Sequence, residues 1–184
     1  VFVFPGQGSQ HLGMGADLYN SNRKAQQIFE DANEILGFKK TDIMIGEDQE
    51  ALKQTNITQP AIYIHSMVIA LIADKFFKPN AVAGHSLGEF TALAAANYIS
   101  FEDGLRLVHK RAIAMQEACE KNESSMAAIV GLDDNTVEDV CSQSKETLVA
   151  ANYNCPGQIV ISGTINAVNI ACNKLTELGA RRAL

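Results

Sequence analysis

Apolar positions change their period several times along the chain, and each change predicts an element. Val1 to Phe4 is a continuous apolar run closed by Pro5 and by the glycines at 6 and 8, the pattern of a short buried strand feeding a sharp loop. Residues 16–36 carry a helical period, and a polar connector follows. Pro60 then opens Ala61 to Phe76, apolar on nearly every face, which predicts a helix buried inside an α/β layer rather than an amphipathic surface helix. Ala81-Val82-Ala83 predicts a second strand, 84–88 a tight turn, and 89–96 a small-residue helix able to lie close on a sheet. Ser100 with Asp103 resembles a helix start. The helix after it bears one stripe of Phe101, Leu105, Val108, Ala112, Met115 and Cys119 and should run to about Lys121.

Beyond the polar break Asn122-Glu123-Ser124-Ser125 the pattern becomes β (126–132), α (135–144), β (148–152), β (158–162), α (167–178) and β from Arg181. That order is the order of a ferredoxin-like α+β unit. The expected organisation is therefore α/β, with residues 1–124 as one subdomain built on a parallel sheet and 125–184 as a smaller ferredoxin-like one.

Composition narrows the class. A 184-residue chain with 47% hydrophobic and 20% charged residues can bury a sizeable core. Its net charge of −6 and the absence of any Lys/Arg block longer than pairs such as Lys39-Lys40 and Arg181-Arg182 oppose binding to nucleic acid or an anionic membrane. The stretch from Ala61 to Ala73, broken by His65 and Ser66, falls short of a bilayer span. Cysteines at 119, 141, 155 and 172 form no CxxC pair and have no histidine spaced to join them, so no metal site is expected. Reduced thiols are expected, and with no export signal in Val1-Phe2-Val3-Phe4-Pro5 the expected location is cytoplasmic, an organelle lumen after transit-peptide removal being the alternative.

The chemistry centres on Gly84-His85-Ser86-Leu87-Gly88, a G-x-S-x-G pentapeptide between an apolar strand and a small-residue helix. That context is what a serine elbow needs, and it sets Ser86 at a helix N-terminus whose partial positive charge favours an oxyanion. The bland alternative is a serine that merely caps the helix. A second loop, Gly6-Gln7-Gly8-Ser9-Gln10, also leaves a buried strand, so in a parallel sheet the backbone N–H groups of both loops could converge into an oxyanion hole. As a dinucleotide fingerprint that loop fails, because His11 stands at the third glycine position.

On a helical wheel Arg106, Lys110, Glu117 and Glu120 share the polar side, while Arg111 lies on the flank of the apolar stripe. A half-buried guanidinium needs an anion. The wheel leaves two sources open, a substrate carboxylate or an internal Asp or Glu.

Taken together, Phe4-Pro5-Gly6-Gln7-Gly8-Ser9-Gln10, Gln59-Pro60-Ala61, the 84–89 elbow, the Arg111 helix, Asn152 to Gln158 and the closing Gly179 to Leu184 resemble malonyl-CoA:acyl-carrier-protein transacylases and the related acyltransferase domains of polyketide and fatty-acid synthases. The resemblance implies a large α/β-hydrolase-like subdomain with a small ferredoxin-like one. It implies Ser86 as the acyl-accepting nucleophile, the Gln7 and Leu87 backbones as oxyanion donors, and Arg111 as the clamp on the malonyl carboxylate. The expected substrates are malonyl-CoA and the phosphopantetheine thiol of acyl carrier protein, in fatty-acid biosynthesis, with no resident cofactor.

The family takes its general base from a histidine after the small subdomain, and none of the four histidines here fits that role. His85 should point away from Ser86, His65 sits in a buried helix, and His11 reads as a solvated or capping loop residue. His109 is about 160° around its helix from Arg111. The expectation is thus a chain that stops short of its base. Two other readings stay open, a serine hydrolase using the same elbow and an inactive product that only binds carrier protein or CoA. Lys174, Arg181 and Arg182 are the candidates for a basic docking face.

Overall fold

The computed structural model describes residues 1–184 apart from Glu47, Asn122 and the side chain of Lys40. It divides into two compact units, Val1–Glu117 and Ala118–Leu184. The expected boundary at 124 instead keeps with the first part the whole of the long helix that crosses this division.

In the first unit, strand β1 (Phe2–Phe4) is followed by helices α1 (Ala16–Ser21), α2 (Arg23–Leu36), α3 (Lys40–Ile45), α4 (Gln49–Lys53) and α5 (Thr55–Ala73), then β2 (Val82–Gly84), α6 (Gly88–Ala95) and α7 (Phe101–Lys121). β1 and β2 pair in parallel, with Phe2 opposite Val82 and Phe4 opposite Gly84. Both strands therefore end side by side, and the loops that leave them start from one place.

The helix expected over 16–36 is two helices. Asn22 adopts extended backbone, and its side chain accepts from the Lys24 and Ala25 N–H groups, capping α2 at the point where α1 stops. Gly37, in the left-handed region at φ 75°, ends α2.

α5 starts earlier than expected, at Thr55, and holds Pro60 in its interior. The turn before Pro60 is tied by side chains: the buried Thr58 hydroxyl donates to the Leu52 carbonyl at 2.5 Å and to Gln54 at 3.0 Å. With the short 3-10 turn after it, the segment Thr55–Phe76 is long and apolar enough to cross a membrane by length and composition, contrary to the expectation for this stretch; 67% of the apolar window is buried inside the protein. It is the central helix of the core. Its own Ile62, Tyr63, Ile64 and Met67 pack with Phe29, Leu87, Leu105 and Val108 from the surrounding elements, each almost fully buried. Each such aliphatic or aromatic side chain contributes about 1.5–3 kcal/mol. The Tyr63 hydroxyl donates to the Phe101 carbonyl at 3.0 Å, and a Cβ on Gly104 would strike that hydroxyl, so α7 approaches α5 closely at its first turn. Burial raises the Tyr63 phenol well above its ordinary value.

The second unit runs β3 (Ser124–Val130), α8 (Asp134–Ser142), β4 (Leu148–Cys155), β5 (Gln158–Thr164), α9 (Ile165–Glu177) and β6 (Arg182–Ala183). Its antiparallel sheet has the order β4-β5-β3-β6. Asp133 and Thr164 cap the two helices through the Thr136 and Ala167 N–H groups. Ile129, Ile159, Ile161, Val137, Val168 and Leu175 form the core. β4 extends past the expected end at Asn152 through a bulge after Ala150, and Pro156-Gly157, with Gly157 at φ 76°, turns it into β5.

Candidate active site

The turn after β2 is tight because its glycines permit contact. A Cβ on Gly84 would meet the Gly88 backbone, and one on Gly88 would meet the Phe4 and Pro5 carbonyls. With both absent, the turn folds on itself against β1 and closes through Gly88 N–H to His85 O at 2.9 Å and Glu89 N–H to Ser86 O at 3.1 Å. Ser86 is forced to φ 54°, a left-handed conformation that costs a non-glycine residue about 1 kcal/mol or more. Its side chain does not cap α6, whose N-cap position is Leu87 with no side-chain bond. The Ser86 Oγ is held clear of the backbone and exposed.

The other loop lies alongside. His85 N–H donates to the Phe4 carbonyl at 3.0 Å, and a Cβ on Gly6 would sit 2.6 Å from His85 Nδ1 and 2.8 Å from its carbonyl oxygen. The Gly6–Gln10 loop is fixed by its own bonds, Ser9 Oγ to Gly6 O at 2.9 Å and Gly8 N–H to Gln10 Oε1 at 2.8 Å. Gln7 Nε2 donates to Thr55 Oγ1 at 3.3 Å. Among the described residues, neither the Gln7 nor the Leu87 N–H has a backbone acceptor.

Arg111 reaches this elbow from α7. It is half-buried, its Nη2 donates to Ser86 Oγ at 2.8 Å, and its Nη1 makes a short hydrogen bond to Gln59 Oε1. The ion pairs among the described residues are Lys53–Glu50 and Arg106–Glu102, so Arg111 has no carboxylate partner there. A guanidinium bonded to neutral oxygens retains its full charge beside a serine hydroxyl and can receive an anion. An internal ion pair, the bland source left open by the wheel, does not appear among the described residues.

Gln59 was given no role by the sequence beyond its place in a motif. It is fully buried, and its Nε2 donates to Met115 Sδ at 3.2 Å. The available signal was a lone amide at the start of a segment otherwise apolar on nearly every face.

The histidines are spread around the unit. His11 and His65 meet edge to face with ring centroids 6.3 Å apart, and His109 lies 5.5 Å from Phe38. Burial, and then the neighbouring His11, lower the His65 pKa from its ordinary value. Both His11 and His65 line an apolar cavity of about 350 Å³ along β1 and α5, whose walls include neither Ser86 nor Arg111. In the second unit, Lys174 donates to Gln143 Oε1 at 2.6 Å, while Arg181 and Arg182 are exposed around β6.

Residues 1–183 match the acyl transferase domain family. The chain is 42% identical over 188 residues to the malonyl CoA-acyl carrier protein transacylase of Bacillus subtilis (strain 168). It superposes with a TM-score of 0.93 and 39% identity on the crystal structure of acyl-carrier-protein-S-malonyltransferase from Bartonella henselae, covering 100% of this chain and 61% of that one. It matches equally a malonyl-transacylase solved in complex with its type II PKS acyl-carrier protein, with a TM-score of 0.91, 38% identity, and coverage of 100% and 60%. All of this chain is covered in the B. subtilis match, and it spans 59% of that relative's length.

Proposed function

We propose, because this chain belongs to the acyl transferase domain family, that it carries the nucleophile and the substrate clamp of a malonyl-CoA:acyl-carrier-protein transacylase. The observation that carries this reading is the Arg111 guanidinium, shared between Ser86 Oγ and a neutral amide with no carboxylate partner among the described residues. A hydrolase of neutral esters has no use for an uncompensated positive charge beside its nucleophile. A transferase that selects an acyl group ending in a carboxylate does.

In this reading the Ser86 oxygen attacks the thioester carbonyl of malonyl-CoA, and its proton passes to a general base. The Gln7 and Leu87 N–H groups receive the carbonyl oxygen as it becomes an oxyanion. Collapse breaks the C–S bond, CoA leaves as the thiol, and malonyl remains as an ester on Ser86. The phosphopantetheine thiol of an acyl carrier protein then attacks that ester and carries malonyl away. The carrier-protein partner follows from the names of the relatives and from the complex of one of them with its carrier. Residues 1–124 are then the nucleophile-bearing part of a large α/β-hydrolase-like subdomain, and 125–184 a ferredoxin-like small one. His11 and His65 are not the general base: they meet each other on a cavity whose walls do not include Ser86.

The test is mass spectrometry after incubation with malonyl-CoA, on this chain and on the same residues within a chain as long as the curated relatives. A malonyl adduct on the Ser86 peptide, discharged by a pantetheine thiol, is the expected result. No adduct in either folded protein would overturn the assignment, and release of free malonate without transfer would favour a hydrolase.

A further inference from the structure

We infer that Gln59 sets the preference of this site for an acyl group ending in a carboxylate, by aiming Arg111 while leaving its charge unneutralised. The inference rests on the transacylase reading above. Gln59 lies in the second turn of α5 and is fully buried. An amide in that position is destabilising unless both of its ends are bonded. Both are, the oxygen to Arg111 Nη1 and the nitrogen to Met115 Sδ at 3.2 Å. Arginine can only donate hydrogen bonds, so it is the amide oxygen that must face it, and the thioether on the next turn of α7 accepts from the nitrogen. The amide thereby spans two turns of the facing helix.

The choice of an amide matters. Its oxygen holds one arm of the guanidinium fork in a fixed direction but carries no charge to cancel the cation. A carboxylate of the same shape would hold the arm equally well and neutralise it, competing with any acid offered by substrate. Nη2, the other arm, lies on Ser86 Oγ, so the unneutralised edge faces the acyl group that Ser86 would carry. Gln59 touches no reacting atom in this arrangement. It is a positioning residue, and its effect should appear in acyl selectivity rather than in the nucleophile itself.

The experiment titrates malonyl-CoA and acetyl-CoA into the whole chain by calorimetry for the unmodified protein, Gln59→Glu and Gln59→Met, with a thermal melt of each. The unmodified chain should bind malonyl-CoA more tightly than acetyl-CoA. Gln59→Glu should reduce that preference by about tenfold or more, the size of one charge-assisted contact, with acetyl-CoA affinity unchanged. Gln59→Met should weaken malonyl-CoA binding less, because the charge survives and only its aim is lost. A folded Gln59→Glu protein that keeps the full preference overturns the inference. Where Gln59→Glu fails to fold, a folded Gln59→Met protein with the full preference does the same. An unmodified chain that shows no preference sinks the reading of Arg111 as a clamp, whatever the variants do.

Discussion

Arg111 Nη2 lies 2.8 Å from Ser86 Oγ, although the two residues stand on different helix-bearing segments and neither is bonded to a carboxylate among the described residues. The pairing puts a guanidinium directly beside the serine hydroxyl.

Replacing Ser86 with Ala should leave the fold intact and remove acylation. The expected loss is about 10⁴-fold or more, since the remaining loops can stabilise an oxyanion but supply no nucleophile. The Ser86 peptide mass after incubation with malonyl-CoA reads this directly, and an adduct persisting in the variant would place the nucleophile elsewhere.

Arg111→Ala should weaken malonyl-CoA binding by tens of fold, on the order of 2 kcal/mol for a charge-assisted contact, and leave acetyl-CoA binding nearly unchanged. Arg111→Lys should recover little, because an ammonium cannot hold Gln59 and a carboxylate in one planar fork. Equal losses for both thioesters would show that Arg111 supports the elbow rather than the acyl group.

Gly88→Ala tests the closeness of the turn. Its new methyl would meet the carbonyls of Phe4 and Pro5, and the backbone of β1 has little room to yield. A destabilisation of about 1–3 kcal/mol is expected, measured as a fall in the urea midpoint at constant slope. An unchanged midpoint would mean that the two loops move apart freely.

Stability should depend on the charge of His65. Its folded pKa lies below its ordinary value of 6.5, chiefly through burial and then through His11, with Asp17 acting in the opposite direction. The unfolded chain therefore binds the proton more readily, and the contribution is fully present above about pH 6.5 and is lost as pH falls towards the folded pKa. The melting temperature should decline from pH 7 to 5, less steeply in His65→Phe. Parallel curves for the two proteins would remove His65 as the cause.

Much of this was readable from local signals. The β1 run, the glycine-flanked elbow and the β-α-β-β-α-β order each depend on neighbours in sequence, and each stands where the pattern put it. The break at Asn22 was not visible, because the helical phase continues across it and only the side chain's bond to the backbone decides that a new helix begins. The start of α5 was misread because a proline usually opens a helix, whereas here polar side chains secure the turn ahead of it. The Arg111–Ser86–Gln59 cluster joins three segments, and no periodicity within any one of them reveals it. The wheel could place Arg111 on a boundary but could not say what stood opposite.

The three-residue ladder between β1 and β2 has a consequence for how the protein is made. Phe2 pairs with Val82 across the entire helical segment that separates them, so the loop pair is closed by one of the longest-range contacts of this unit. Closing so large a loop is entropically slow and is rewarded only once α6, itself seated on α5, gives the strands a surface to lie on. A nascent chain that has emerged only as far as α5 can hold much of the apolar core yet has no elbow. In refolding followed by pulsed hydrogen exchange, the amides of Val82 to Gly84 should therefore be protected after those of α5. The order in which the protein matures is then core first and chemistry last.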